Sequence, residues 1–245
     1  MNSKDKSYKS HSLFHVPNHV PNHVPNASSI GLFLCMIILC ILNSCRENEV
    51  KKIELNPIEN PELITKTDAR ELWQKPELII QLMGDLDGHT IADIGAGTGY
   101  FTFKLLDRAK KVIAIEIDND MIQLMNSLVN TYSDSLVQRF EARLALPNDP
   151  KLGKEEVDDI LIVNTIAYIS NRVDYFKNLL NSLSSNGKIY IIDYKVKRLP
   201  IVAPDYEDRV HMHILEEQLD SAGFQQIFID DTSLDFQYII EASKN

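Results

Sequence analysis

The stretch Asp93-Ile94-Gly95-Ala96-Gly97-Thr98-Gly99-Tyr100-Phe101 decides the fold. It begins inside a short apolar run, Thr90-Ile91-Ala92-Asp93-Ile94, and ends at the start of an amphipathic segment carrying Phe101, Phe103, Leu105 and Leu106. An apolar run, a glycine turn and a helical pattern in that order predict a strand-loop-helix unit. Glycines at such a turn permit positive φ and let backbone N–H groups approach a ligand closely.

The same alternation continues outward. Lys111-Val112-Ile113-Ala114-Ile115-Glu116-Ile117 reads as a second buried strand, and Asp118 or Asn119 can cap the helix that follows. A strand is predicted within Leu136–Leu144, another over Val157–Val163, and a helix from about Arg172 to Leu183. Ser185-Asn186-Gly187 reads as a turn into the strand Lys188–Asp193. Upstream, Thr67 or Asp68 can cap a short helix through Trp73, and Pro76 can open a second. Continuous apolar strands alternating with helices predict a parallel sheet covered on both faces. The end differs: after a helix from about His211 to Ala222, Phe224–Ile229 and Asp235–Ile240 are joined by a loop too short for a parallel crossover. Two strands so joined can form an antiparallel hairpin.

Glu116 lies at the end of the second strand, where a carboxylate can accept hydrogen bonds from both hydroxyls of a ribose. A dinucleotide-binding turn wants Gly-x-Gly-x-x-Gly, and its third glycine would fall where Tyr100 stands. Asp93 also precedes the loop. A carboxylate there suits the positively charged S-adenosyl-L-methionine and repels a pyrophosphate. A nicotinamide oxidoreductase is disfavoured on both counts, and a ligand-free glycine turn on the combination of motif, Glu116 and terminal hairpin.

With these features, residues from about Arg70 onward resemble the class I S-adenosylmethionine-dependent methyltransferases, in a bacterial subgroup of small-molecule type. Further points of likeness are Trp73-Gln74-Lys75-Pro76-Glu77, Asn148-Asp149-Pro150-Lys151-Leu152, Asn164-Thr165-Ile166-Ala167-Tyr168-Ile169 and Asp193-Tyr194-Lys195. The resemblance implies a three-layer Rossmann-like α/β fold, a seven-stranded and mostly parallel sheet with the last strand antiparallel. It implies that Asp93, Gly95, Gly97 and Gly99 form the floor beneath the methionine end of the cofactor, with Ala96, Thr98 and Tyr100 completing the loop. Glu116 would take the ribose, Ile117 would lie against adenine, Asp149 near its amino group, and Asn164 beneath the sulfonium.

Methyl transfer from a sulfonium needs orientation above all, which can supply about 7–11 kcal/mol of the barrier, and no nucleophilic side chain. A general base is optional, and Tyr168, Asp193 and His211 are the candidates. The subgroup often carries Asp at the position of Asn164 and a His pair at Ala167-Tyr168. A catalytically degenerate binding module is therefore the alternative to an active enzyme. Asn164-Thr165-Ile166-Ala167 also lacks the Asn-Pro-Pro-Tyr pattern of nucleobase and glutamine amide methylases.

The chain has 245 residues, with 25 Lys+Arg against 35 Asp+Glu and a net charge of −10. Nucleic-acid binding rests on clusters of basic residues, so the expected acceptor is a small or lipid-like molecule and not nucleic acid. The cysteines are Cys35, Cys40 and Cys45, which excludes a disulfide framework from the main body. Residues 1–44 read as a leader: three His-Val-Pro-Asn repeats, then Ile30–Leu42 without a charge. As a helix those thirteen residues would span about 20 Å, short of the roughly 30 Å hydrocarbon core, which suits a signal peptide. Leu42-Asn43-Ser44-Cys45 resembles a bacterial lipoprotein signal, with Cys45 lipidated; an uncleaved N-terminal anchor is the alternative. Residues 45–64 would then be a tether and 65–245 the methyltransferase domain. Removing residues 1–44 takes away three lysines and one aspartate, so the acidity belongs to that domain.

Overall fold

The computed structural model describes residues 66–245, and the leader, Cys45 and the tether lie outside the described residues. Two short helices open this part, α1 (Lys66–Gln74) and α2 (Pro76–Leu82). Thr67 and Asp68, expected as caps, lie inside the first turn of α1. Lys75 breaks the two apart at φ 49°, and Pro76 starts α2, where its missing N–H costs nothing.

Strand and helix then alternate: β1 (Thr90–Ile94), α3 (Tyr100–Leu106), β2 (Lys111–Glu116), α4 (Asn119–Val129), α5 (Asp134–Val137) and β3 (Phe140–Leu144). They continue through β4 (Val157–Val163), α6 (Arg172–Ser182), β5 (Leu183–Tyr194), α7 (Met212–Ala222), β6 (Gln225–Asp230) and β7 (Gln237–Ser243). Asp118 caps α4 by accepting the N–H of Asp120. The expected turn at Ser185-Asn186-Gly187 is instead an irregularity inside β5. Leu183 is buried and already pairs with Val157, so the strand begins before the polar residues and resumes regular pairing at Lys188.

The sheet order is β3-β2-β1-β4-β5-β7-β6. β1 pairs in parallel with β2 and β4, whereas β7 runs antiparallel to β5 and β6 and lies between them. This is the seven-stranded, mostly parallel Rossmann-like sheet that the sequence predicts, hairpin included. Both faces are covered. Ala92, Ile94, Ile113, Ile115, Ile160 and Ile162 meet Phe176, Leu179, Leu215 and Leu219 of α6 and α7 on one side. On the other, Ile91, Val112, Leu161 and Val163 meet Ile79, Ile80, Phe101 and Leu105 of α2 and α3. Neighbouring strand residues thus feed opposite cores, which is why the runs are apolar throughout. Each fully buried branched side chain contributes roughly 1.5–3 kcal/mol. Among the described residues no helix is long and apolar enough to cross a membrane.

The strand order reverses between β1 and β4, and in open α/β sheets such a point leaves a crevice beyond the strands' C-terminal ends.

Candidate active site

The glycine loop occupies that crevice. Gly95 and Ala96 both donate their N–H groups to the carbonyl of Ile115, at 2.8 and 3.1 Å, which pins the loop to the end of β2. Gly95 has φ 72°, and a Cβ there would meet Thr165 Oγ1 at 2.3 Å. Gly97 has φ 55°, and a Cβ there would meet nothing within 4 Å. The first glycine therefore answers to the protein's own packing, and the second leaves its surroundings open.

Glu116 closes the loop from the β2 side. Gly97 N–H donates to its Oε2 at 2.8 Å, and the N–H groups of Ile117 and Asp118 donate to Oε1 at 2.7 and 3.1 Å. Oε1 has both lone pairs engaged, and Oε2 retains one for a ribose hydroxyl. On the β1 side Asp93 is buried and accepts the Thr102 hydroxyl at 2.6 Å. Burial pushes its carboxyl up to about 6, although the Thr102 hydrogen bond and the charge of Arg70 oppose the rise.

β4 supplies the opposite wall. Asn164 turns the chain at φ 56°, a conformation asparagine tolerates better than most residues, and Thr165 ties back to the carbonyl of Val163 at 2.9 Å. Asn164 N–H donates to the carbonyl of Ile192 on β5 at 2.9 Å.

Two cavities meet here, and Gly95, Asn164 and Thr165 line both. The first, of about 250 Å³, is mainly apolar and runs from Glu116 and Ile117 past Leu146 and Pro147 to Tyr168. The second, of about 310 Å³, is polar and reaches Asp93, Gly97 and Tyr100 with Arg70, Trp73 and Tyr194. A third, of about 500 Å³, holds Arg172, Arg209 and His211 and shares Tyr168 with the first.

Of the predicted cofactor residues, Asp93, Gly95, Ala96, Gly97, Thr98, Tyr100, Glu116, Ile117 and Asn164 line the two joined cavities. Gly99 lies just behind them as the residue preceding α3. Asp149 is not brought to either wall: its carboxylate accepts Lys151 Nζ at 2.6 Å and the Lys151 N–H at 2.8 Å. The three predicted bases are also separated. Tyr168 is exposed on the rim between the first and third cavities. His211, the residue preceding α7, lines the third cavity and a further one beside Lys195 and Tyr238, but neither of the two joined cavities. Asp193 is buried and lines none of the three cavities; it accepts the N–H groups of Tyr194 at 2.7 Å and Ile166 at 3.2 Å. Burial raises it to about 6, but its oxygens serve to hold the backbone of the β4 loop.

Arg70 and Trp73 were not singled out as site residues by sequence reasoning. They lie one turn apart on α1, and that spacing was the available signal. Arg70 stacks over the Tyr100 ring with its guanidinium carbon 4.2 Å from the centroid, and Trp73 packs against Tyr194 at 6.1 Å. An arginine beside the glycine loop can hold a carboxylate, and Asp93 across the same cavity can hold an ammonium.

A glycine loop, a ribose-type acid on β2 and a charged pocket over a sheet of this order define a methyltransferase-type Rossmann domain. Residues 85–241 match the methyltransferase domain family, and the chain belongs to that family; the domain is of the S-adenosylmethionine-dependent class. A solved S-adenosylmethionine-dependent methyltransferase from Aquifex aeolicus superposes with a TM-score of 0.66 at 21% identity, covering 76% of this chain and 99% of that one. The demethylmenaquinone methyltransferase of Lactococcus lactis is 25% identical over 174 residues, 68% of this chain and 65% of that protein. The ribosomal RNA small subunit methyltransferase A of Anoxybacillus flavithermus is 25% identical over 119 residues, 48% of this chain and 40% of that enzyme's length. The chain thus spans less than half the length of that relative and just under two thirds of the quinone relative's.

Proposed function

We propose that this protein transfers a methyl group from S-adenosyl-L-methionine to a small or lipid-like acceptor, held at a membrane through a lipidated Cys45 or an N-terminal anchor. The observation that carries the reading is the pair of cavities joined at Gly95, Asn164 and Thr165, one apolar and one carrying opposite charges. Arg70 and Asp93 fit the amino-acid end of the cofactor, Glu116 the ribose, and Ile117 with Leu146 a planar base. Bound there, the cofactor supplies a methyl group already activated on a sulfonium.

The chain's own contribution is orientation. Asp93 and Arg70 place opposite charges across the polar cavity, and the Gly97 N–H ties the loop to Glu116. Trp73 and Tyr194 form an aromatic wall of the polar cavity that Asn164 also lines, against which a bound group can be oriented. The net charge of −10 disfavours a nucleic-acid acceptor. A demethylmenaquinone methyltransferase among the relatives supports an acceptor of quinol type.

Isothermal titration with S-adenosylmethionine, followed by transfer of labelled methyl to a panel of phenols, quinols and carboxylic acids, tests the reading. Absence of binding at millimolar ligand sinks it; binding without turnover on every acceptor favours the degenerate binding module. Mass spectrometry of the native N-terminus tests the anchor, and an unacylated Cys45 with a freely soluble chain overturns it.

A further inference from the structure

A file of four polar side chains runs from α1 through the end of the sheet to the cavity junction. Arg70 Nε donates to Gln74 Oε1 at 2.5 Å. Gln74 Nε2 donates to Gln237 Oε1 at 3.1 Å. Gln237 Nε2 donates to Asn164 Oδ1 at 2.5 Å. Gln74 and Gln237 are both 0% exposed, so neither amide can exchange its partner for water.

The direction of this file is not arbitrary. A guanidinium has five donors and no acceptor, so Gln74 must offer it oxygen. That turns the Gln74 NH₂ toward Gln237, which must then offer oxygen in turn, and its own NH₂ faces Asn164. The Asn164 oxygen is thereby occupied, and its NH₂ is left over. Nδ2 of Asn164 makes no hydrogen bond to another described residue, nor is it one of the buried polar atoms lacking a partner. It is therefore open to the space that Asn164 lines, the junction of the two cofactor-side cavities. The charged end at Arg70 polarises each amide in sequence and strengthens the last N–H as a donor.

We infer that Arg70, Gln74 and Gln237 are positioning residues that lock Asn164 as a hydrogen-bond donor at the reaction centre, and that the acceptor presents an anionic oxygen there. This deepens the methyl-transfer reading and rests on it. An amine has a single lone pair, which must point at the methyl carbon to react, so it could turn only its own N–H toward the Asn164 donor and leave both unpaired. Methylation of an oxyanion forms the new C–O bond from the oxygen's lone pair, returns the C–S pair to sulfur and releases no proton. That accords with where the predicted bases lie: Asp193 is committed to backbone, His211 lines neither joined cavity, and Tyr168 stands exposed on the outer rim of the apolar one.

The variant Gln74→Glu reverses the file without touching the cavity. Its carboxylate pairs with Arg70 but cannot donate, so Gln237 turns its NH₂ to position 74 and its oxygen to Asn164, which then shows its own oxygen to the cavity. The test uses protein saturated with S-adenosylhomocysteine, with benzoate and benzylamine as probes and the side-chain amide resonances of Asn164 as the readout. The unmodified protein is expected to bind benzoate about tenfold more tightly than benzylamine, the worth of one hydrogen bond to a charged group, and the variant to reverse that order. Benzylamine binding as well as benzoate overturns the inference, as does an Asn164 resonance that neither probe moves at millimolar concentration. An unchanged preference in Gln74→Glu overturns it too. Should that variant not fold, the through-hydrogen-bond coupling from Gln237 Nε2 to Asn164 Cγ in the unmodified protein decides; its absence refutes the file. Failure of S-adenosylhomocysteine to bind the unmodified protein is a separate result and speaks against the cofactor reading instead.

Discussion

Gly97 donates its N–H to Glu116 Oε2 at 2.8 Å, so the tip of the glycine loop and the end of β2 are joined before any ligand arrives. Substitution at the loop should therefore separate binding from folding. A Cβ at Gly97 would meet no protein atom within 4 Å, so a long side chain there has the cavity that the glycine lines to fill. Gly97→Arg is expected to abolish S-adenosylhomocysteine binding in a calorimetric titration. The left-handed backbone costs roughly 1–2 kcal/mol, a fall in melting temperature of a few degrees.

Gly95→Ala should do the reverse. Its Cβ would lie 2.3 Å from Thr165 Oγ1 at φ 72°, so the β4 loop must move or the turn must open. A loss of about 2–3 kcal/mol of stability is expected, measured by urea unfolding, larger than for Gly97→Ala. Equal losses for the two alanine variants would show that the contact with Thr165 has no part in fixing this loop.

Asp93 gives the cofactor site a pH dependence. Its carboxyl is raised to about 6 by burial, so the charge that would face a cofactor ammonium forms only as pH rises through that value. Affinity for S-adenosylmethionine should weaken below about pH 6, by at most tenfold per unit, because binding must then expel a proton. Titrations from pH 5 to pH 8 should show this slope in the unmodified protein and a flat, weaker profile in Asp93→Asn.

The sheet and the cofactor loop were legible because their signals are local. A strand buried on both faces must be apolar at consecutive positions, and Ile91–Ile94, Val112–Ile115 and Ile160–Val163 are apolar or nearly so. Gly95, Gly97 and Glu116 lie at fixed offsets from those strand ends. What was hidden depends on side chains that meet across the fold. Gln74 and Gln237 are 163 positions apart, and no periodicity reveals that they share a hydrogen bond. Asp193 is a candidate base in the sequence, within the Asp193-Tyr194-Lys195 stretch that carries the family likeness. It is turned inward to hold Ile166, a choice that residue spacing cannot show. Asp149 was drawn away by Lys151, two residues on, a short-range pairing that the family likeness obscured.

Asp193 should influence stability with the opposite pH trend to an ordinary salt-bridged carboxylate. Its folded carboxyl is raised to about 6 by burial, above the usual 3.8, so between those values the folded state holds more proton than the unfolded. Its contribution is greatest below about pH 4 and is lost as pH rises through about 6. Relative to Asp193→Asn, the unmodified protein should lose up to roughly 3 kcal/mol between pH 4 and pH 8, read from denaturant midpoints. A constant gap across that range would mean that the carboxyl is not titrating in the interior.

Trp73 tests whether α1 belongs to the site or merely lies over it. The indole packs against Tyr194 at 6.1 Å and Phe236 at 6.3 Å, and Lys75 just beyond it donates Nζ to the Ser233 carbonyl at 3.0 Å. These contacts hold the helix that carries Arg70 and Gln74 against β5 and the loop before β7. Trp73→Ala should cost about 2 kcal/mol, less than a fully buried aromatic, because the ring is only partly enclosed. Hydrogen exchange should quicken in residues 66–74 while β1 and β4 keep their protection, since their cores do not include the indole. S-adenosylhomocysteine affinity should fall by about tenfold in the same variant, the worth of one charge-assisted contact from Arg70. If exchange quickens but affinity is unchanged, α1 is a cover without a hand in binding, and the carboxylate role of Arg70 is refuted.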